Sequence, residues 1–130
     1  MRNVLLRLVA LGAVLCLGWS LAPVAPARNS TRVLVGRSGR NNGYVITLTF
    51  ADGRKVKTIP AGRYTFVVHD YSRIHNFALG SQTANKRLFT TGIPWVGTRS
   101  YTLTLTPGNY AYACSAHFQT MNGRFVVTPG

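Results

Sequence analysis

The sequence Tyr-Ala-Tyr-Ala-Cys-Ser-Ala-His-Phe-Gln-Thr-Met-Asn-Gly, at residues 110–123, holds the most informative pattern in this chain. Its first half places aromatic residues at alternate positions, which is the period of a β-strand. Its second half brings a thiol, an imidazole and a thioether close together in sequence, at Cys114, His117 and Met121. A second strand is predicted at residues 123–128, so we expect these three side chains on the loop that joins two strands.

Upstream of this loop, His75 supplies a second imidazole and is followed by Asn76. Two histidines, one cysteine and a weak axial methionine form the donor set of a mononuclear blue-copper site. Soft sulfur suits copper(I), whereas imidazole suits both oxidation states. Zinc bound by Cys114 and the histidines also fits the number of ligands, although Met121 would then have no role. His69, the third histidine, is interpreted as a structural or surface residue.

The rest of the sequence predicts an all-β antiparallel sandwich or barrel. Apolar residues alternate along residues 44–50, and Asp52-Gly53 is typical of a hairpin turn. Residues 55–59 are therefore expected to return antiparallel to the preceding strand. Further short strands are predicted at 64–68, 75–79, 100–105, 110–114 and 123–128. About seven strands joined by turns are typical of sandwiches and barrels.

Composition and charge exclude several kinds of site. The 130 residues suffice for one ordinary domain. Lys and Arg number 15 against two acids, Asp52 and Asp70, which gives a formal charge of +13. Two carboxylates cannot form a carboxylate-rich calcium or magnesium site, and this composition also argues against a paired-carboxylate glycosidase or a di-iron bundle. The positive charge either reflects composition alone or favours docking to an acidic redox protein or an anionic envelope surface.

The amino terminus is interpreted as a signal peptide over residues 1–27. Two arginines precede an uncharged run at residues 8–21, and small residues follow at 25–27. The run is shorter than the roughly 20 residues that span a bilayer. We expect export to the periplasm or cell envelope, which makes nucleic acid an improbable partner. The exported chain would carry a charge of about +11 and a single cysteine, Cys114, and it is expected to be monomeric. Residues 28–42 are predicted to be a flexible basic lead-in with at most a short strand at 33–35, and the domain is expected at 43–130.

Residues 60–128 resemble the cupredoxins, the superfamily of plastocyanin, amicyanin and pseudoazurin. The matching motifs, in chain order, are Ala61-Gly62-x-Tyr64-x-Phe66, His75-Asn76-Phe77, Pro107-Gly108-x-Tyr110-x-Tyr112, Cys114-x-x-His117 and Met121-x-Gly123. The resemblance implies a Greek-key β-sandwich that binds one copper ion. It also implies that His75, Cys114 and His117 are equatorial ligands, that Met121 is axial, and that Asn76 braces the cysteine loop by hydrogen bonding. The His117–Met121 spacing is intermediate between plastocyanin-like and amicyanin loops.

The function implied by the resemblance is one-electron transfer rather than enzymatic catalysis. In cupredoxins the histidine at the position of His117 reaches the surface through an apolar patch, to which Ala116 and Phe118 would belong here. Cys114 and His117 are too close in sequence for a usual protease dyad. Copper storage or delivery without a redox partner is one alternative. A metal-free β-sandwich interaction module is the other.

Overall fold

A computed structural model describes residues 31–130, and the predicted signal peptide at residues 1–27 lies outside them. The described residues form a β-sandwich, as the sequence predicts, with one 3₁₀ turn at Arg40–Asn42. Its strands are β1 (Arg32–Ser38), β2 (Ile46–Phe50), β3 (Thr58–Pro60), β4 (Gly62–Asp70), β5 (Ala78–Ser81), β6 (Lys86–Thr90), β7 (Gly97–Leu105), β8 (Gly108–Ala113) and β9 (Asn122–Thr128). Within residues 31–130, no helix has the length and apolar character needed to cross a bilayer.

The strands form two sheets, ordered β2-β1-β4-β7 and β3-β9-β8-β5-β6. Most neighbours are antiparallel, but β1 pairs parallel with β4 and β3 pairs parallel with β9. The expectation of wholly antiparallel sheets is therefore corrected. Parallel neighbours need a crossover connection rather than a tight turn. Here β2 and β3 separate β1 from β4 along the chain, which lets the chain cross between the sheets.

The predicted lead-in at residues 28–42 is wrong in its described part, and so is a domain that begins at residue 43. Strand β1 lies inside its sheet, between β2 and β4. Leu34 is fully buried, and Gly36 lies against the Phe77 ring, where an added Cβ would be 2.9 Å from ring carbon Cε2. The inward positions of β1 thus hold one apolar side chain, a glycine and Ser38. That pattern gives little hydrophobic periodicity, although every inward position is needed for close packing.

The Asp52-Gly53 turn forms, but the return along β2 extends only to Val56, whose amide donates to the Leu48 carbonyl at 3.1 Å. Lys55 makes a single antiparallel bridge with Thr49, after which the chain crosses to the other sheet. Residues 58–60 then pair with β9. Tertiary pairing therefore overrides the local hairpin signal.

The core lies between the two sheets and includes a stack of aromatic rings. Tyr112 stacks on Phe77 with ring centroids 5.5 Å apart, and Phe77 stacks on Phe89 at 6.2 Å. Phe89 in turn stacks on Tyr101 of β7, at 4.0 Å. This packing anchors Phe77, which lies two residues after His75. The predicted strand at residues 75–79 begins at Ala78, so His75 stands on the loop before β5.

Candidate metal centre

Two loops meet at one end of the sandwich and bring together two histidines and one cysteine. His75 lies on the loop between β4 and β5, whereas Cys114 and His117 lie on the loop between β8 and β9. The Nδ1 atoms of His75 and His117 are 3.0 Å apart. The Cys114 Sγ lies 3.8 Å from His75 Nδ1 and 3.6 Å from His117 Nδ1. These three side chains are the only cluster of His, Cys and carboxylate donors with metal-binding spacing found in residues 31–130.

The triangle of donor atoms has the dimensions of a metal site. A circle through the three atoms has a radius of about 2.0 Å, because the sides measure 3.0, 3.6 and 3.8 Å. Imidazole nitrogen and thiolate sulfur bind transition-metal ions such as zinc at about 2.0–2.3 Å. One ion at the centre of this triangle would therefore reach all three donors without movement of the backbone. The residues present fit a single soft or borderline cation.

The hydrogen bond on the far side of the His75 ring sets which nitrogen faces the site. His75 Nε2 lies 3.3 Å from the backbone carbonyl oxygen of Asn42, which can only accept. Nε2 therefore carries the proton, and the lone pair of the neutral ring lies on Nδ1. His117 Nδ1 lies 3.0 Å from His75 Nδ1, so a cation between the two nitrogens could be bound by both rings. The arrangement is thus suited to a positive charge at the centre of the cluster.

Backbone hydrogen bonds fold the loop from Cys114 to Met121 into a compact turn. The Cys114 amide donates to the Met121 carbonyl (3.0 Å), and the Met121 amide donates to the His117 carbonyl (2.8 Å). A further bond of 3.1 Å joins the His117 amide to the Cys114 carbonyl. Cys114 and Met121 are fully buried, whereas His117 is half-buried. Met121 lies where the loop enters β9, and its role as axial ligand stays a prediction.

Asn76 ties the His75 loop to the cysteine loop. Its Oδ1 accepts from the Ser115 amide at 2.8 Å, and its Nδ2 donates to the Ser115 hydroxyl at 2.8 Å. The same Nδ2 lies 3.1 Å from the Thr90 hydroxyl, and the Asn76 carbonyl accepts from Ser38 at 2.9 Å. Asn76 follows His75 and Ser115 follows Cys114, so these bonds connect the loops that carry the two candidate ligands. This contact limits how far His75 and Cys114 can move apart.

His69 takes no part in the cluster. It stands on β4, and its Nδ1 lies 2.8 Å from the Thr98 hydroxyl on β7. Its ring stacks on Tyr71, with centroids 6.1 Å apart. This placement agrees with the interpretation of His69 as a structural or surface residue.

Tyr44 is the site residue that the sequence pattern misassigned. Its ring makes edge contacts with both imidazoles, with centroids 4.9 Å from His75 and 4.8 Å from His117. The sequence places Tyr44 at the start of a strand, but β2 begins at Ile46 and leaves Tyr44 on the loop above the donors. The glycine before Tyr44 is a turn signal that could have indicated this loop. Tyr44 also lines a surface pocket of about 500 Å³ together with residues 116–120.

The two acids of the chain have different surroundings. Asp52 is exposed and pairs with Arg54 at 2.7 Å, and the two hydrogen bonds from Arg54 lower the pKa of Asp52. Asp70 is only 1% exposed, and burial raises its pKa. Within the described residues, the surface therefore presents many lysine and arginine side chains and no unpaired carboxylate.

Comparison with known proteins identifies the fold. No protein-family model matches the chain, and no curated protein sequence matches it. Among solved structures, the copper protein rusticyanin is 21% identical, with 74% of this chain and 76% of that chain covered and a TM-score of 0.52. Rusticyanin from Thiobacillus ferrooxidans, in another structure, is 18% identical over the same shares, with a TM-score of 0.51. Auracyanin from Roseiflexus castenholzii is 21% identical over 77% of this chain and 98% of that chain, with a TM-score of 0.49. The chain thus shares its fold with rusticyanin, and this is the cupredoxin-like sandwich that residues 60–128 resemble.

Proposed function

We propose that this protein binds one copper ion and carries single electrons through a type 1 copper site. The observation that carries the proposal is the convergence of the His75 and His117 Nδ1 atoms with the Cys114 sulfur, at 3.0–3.8 Å from one another. Copper bound to such donors supplies a copper(I)/copper(II) couple. The likeness in fold to rusticyanin, described as a copper protein and also solved in a reduced form, supports the same function.

Within this proposal, the protein holds its ligands in one arrangement for both oxidation states. His75, Cys114 and His117 would hold the ion, and Met121 would add a weak thioether donor. The hydrogen bonds between Asn76 and Ser115 keep the two ligand loops together. A site that needs little rearrangement between oxidation states exchanges an electron with a low barrier. Electron carriage rather than enzymatic catalysis is therefore the role proposed.

The test is titration of the purified protein with copper(II), followed by an absorption spectrum and a potential measurement. We expect one copper per chain, a strong thiolate-to-copper band in the visible, and a reversible one-electron couple. Copper binding without a reversible couple would instead support storage or delivery. A chain that binds no copper would contradict the proposal and leave the metal-free interaction module.

Met121→Leu is expected to retain copper and the visible band but to raise the potential. Leucine keeps the apolar volume of the buried site, whereas loss of a weak thioether donor disfavours copper(II). Potentiometry on the wild type and the variant measures the shift, and denaturant unfolding of both metal-free chains measures any packing loss. An unchanged potential would show that Met121 serves only in packing.

Export to the periplasm or cell envelope is part of the proposal. It rests on the sequence of residues 1–27, which lie outside the described structure. The intact mass of the protein recovered from an envelope fraction tests it, because cleavage after Ala27 would leave Arg28 as the first residue.

The proposed route for the electron is the outer edge of His117. This residue is half-buried, and its neighbour Phe118 is 61% exposed. An apolar side chain at this position suits a partner that docks flat against the histidine. The surplus of positive charge over the described surface favours an acidic redox protein as that partner.

Reduction by acidic donor proteins is expected to be faster than reduction by basic donors at low salt. The difference should largely disappear as ionic strength rises, because the Debye length falls from about 30 Å at 0.01 M to about 10 Å at 0.1 M. Phe118→Glu should slow the reaction with acidic donors. Val126→Glu is the matched control, since it adds the same charge at an exposed apolar residue of β9. Stopped-flow rates in which the two variants behave alike would contradict the proposed docking face.

A further inference from the structure

Asp70 is a buried carboxylate to which the proposed site assigns no role. It is the last residue of β4, just before the loop that carries His75, and is 1% exposed. Within residues 31–130 the only ion pair joins Asp52 to Arg54, so Asp70 has no cationic partner in direct contact. Burial of a charge without a pair is costly, and here the only compensation in direct contact comes from hydrogen bonds to the two carboxylate oxygens. Retention of a carboxylic acid at this position therefore needs a physical reason.

The contacts of Asp70 lead to both chain segments that flank His75. On one side, the Ser72 amide lies 3.3 Å from Asp70 Oδ1, and the Ser72 carbonyl accepts from the His75 amide at 3.4 Å. On the other side, the Thr91 hydroxyl donates to Asp70 Oδ2 at 2.5 Å. The same Thr91 oxygen accepts from the Phe77 amide at 2.9 Å. Hydrogen bonds thus connect the carboxylate, through Ser72 and Thr91, to the chain segments before and after His75.

A positive charge at His75 would act on the Asp70 carboxylate as well. Burial raises the pKa of Asp70, whereas the hydrogen bonds from Thr91 and Ser72 lower it, as would a positive charge on His75. Such an interaction is reciprocal, because the same Coulomb energy acts on both charges. A carboxylate that a positive charge at His75 stabilises must itself stabilise positive charge there. A cation bound at His75 Nδ1 would lie in the same field.

We propose that the buried carboxylate of Asp70, held by Thr91 and Ser72, sets the charge preference of the metal centre in favour of copper(II) over copper(I). The inference rests on the proposed copper function, and it adds a residue that contacts neither the metal ion nor the redox partner protein. Copper(II) carries one more positive charge than copper(I), so a fixed negative charge nearby stabilises the oxidised state more. Asp70 would not bind the metal. Its charge would act on the site across the loop that holds His75.

The first experiment compares Asp70→Asn with Asp52→Asn. Asp70→Asn is expected to raise the potential, equivalent to about a tenfold rise in affinity for copper(I) relative to copper(II). Asp52→Asn removes the same charge from an exposed carboxylate already paired with Arg54, so its potential should stay close to that of the wild type. A purely structural role for Asp70 would change the free energy of unfolding and leave the potential where it was. Equal potentials in Asp70→Asn and the wild type would overturn the inference.

A second pair of variants covers the case in which Asp70→Asn fails to fold. Thr91→Val removes the hydroxyl that stabilises the charge on Asp70, whereas Thr91→Ser retains it. The valine variant should raise the potential in the same direction as Asp70→Asn, and the serine variant should restore the wild-type value. Identical potentials in both Thr91 variants would overturn the inference. Failure of the wild-type chain to bind copper is detected separately, in the titration described above, and would count against the proposed function instead.

Discussion

Cys114→Ser is expected to abolish the visible absorption band and to weaken copper binding by more than about 100-fold. The band arises from charge transfer out of the thiolate, and a serine hydroxyl is neither ionised nor soft enough to replace it. Loss of a residue that merely hydrogen bonds to a ligand already costs about 10–100-fold in metal affinity, so loss of a ligand should cost more. Copper titration with optical detection measures both effects.

His69→Ala is the control for this experiment, because His69 is a histidine of the same domain that lies outside the donor cluster. Its band and its copper affinity should match those of the wild type. A band of unchanged intensity in Cys114→Ser would contradict the metal assignment altogether. Equal losses in the two variants would instead indicate that general destabilisation, not ligand loss, removed the band.

Asn76→Ala is expected to destabilise the metal-free protein by about 2–4 kcal/mol. The buried side chain makes two bonds with Ser115 and one with Thr90, all between 2.8 and 3.1 Å. Its removal leaves the Ser115 amide without its acceptor and opens a small cavity. Copper affinity should fall as well, because the loops of His75 and Cys114 lose their connection.

Asn122→Ala provides the matched control at the end of the same cysteine loop. Asn122 is exposed and donates to the carbonyls of Phe118 and Gln119. Because water can replace these bonds, the variant should lose less than about 1 kcal/mol. Denaturant unfolding of both metal-free variants measures the difference. Similar losses in the two variants would contradict the role assigned to Asn76.

Local sequence determined the features that depend on short spacings. The alternation of aromatic residues before Cys114 predicts β8, and the close spacing of Cys114 and His117 predicts donors on one turn. The structure confirms the all-β sandwich and shows both residues on that turn. Such features follow from backbone geometry over a few residues, which a sequence pattern records directly.

Resemblance supplied the parts of the site that spacing alone does not give. His75 lies 39 residues before Cys114, and nothing in the period of either segment places the two side chains 3.8 Å apart. The ordered set of motifs shared with cupredoxins indicated that they meet. The structure brings His75, Cys114 and His117 together, while the axial role of Met121 stays a prediction.

Tertiary structure alone decided the contributions of β1, Tyr44 and Asp70. Strand β1 shows almost no hydrophobic period, because two of its inward positions are Gly36 and Ser38, yet parallel pairing with β4 places it inside a sheet. Tyr44 contacts both imidazoles because it lies on the loop before β2, which packs against the candidate metal site, rather than in the strand. Asp70 is buried and accepts hydrogen bonds from Thr91 and Ser72, which belong to two different loops. These features arise from contacts between distant segments, and such contacts follow from how the sheets pack rather than from any local run of residues.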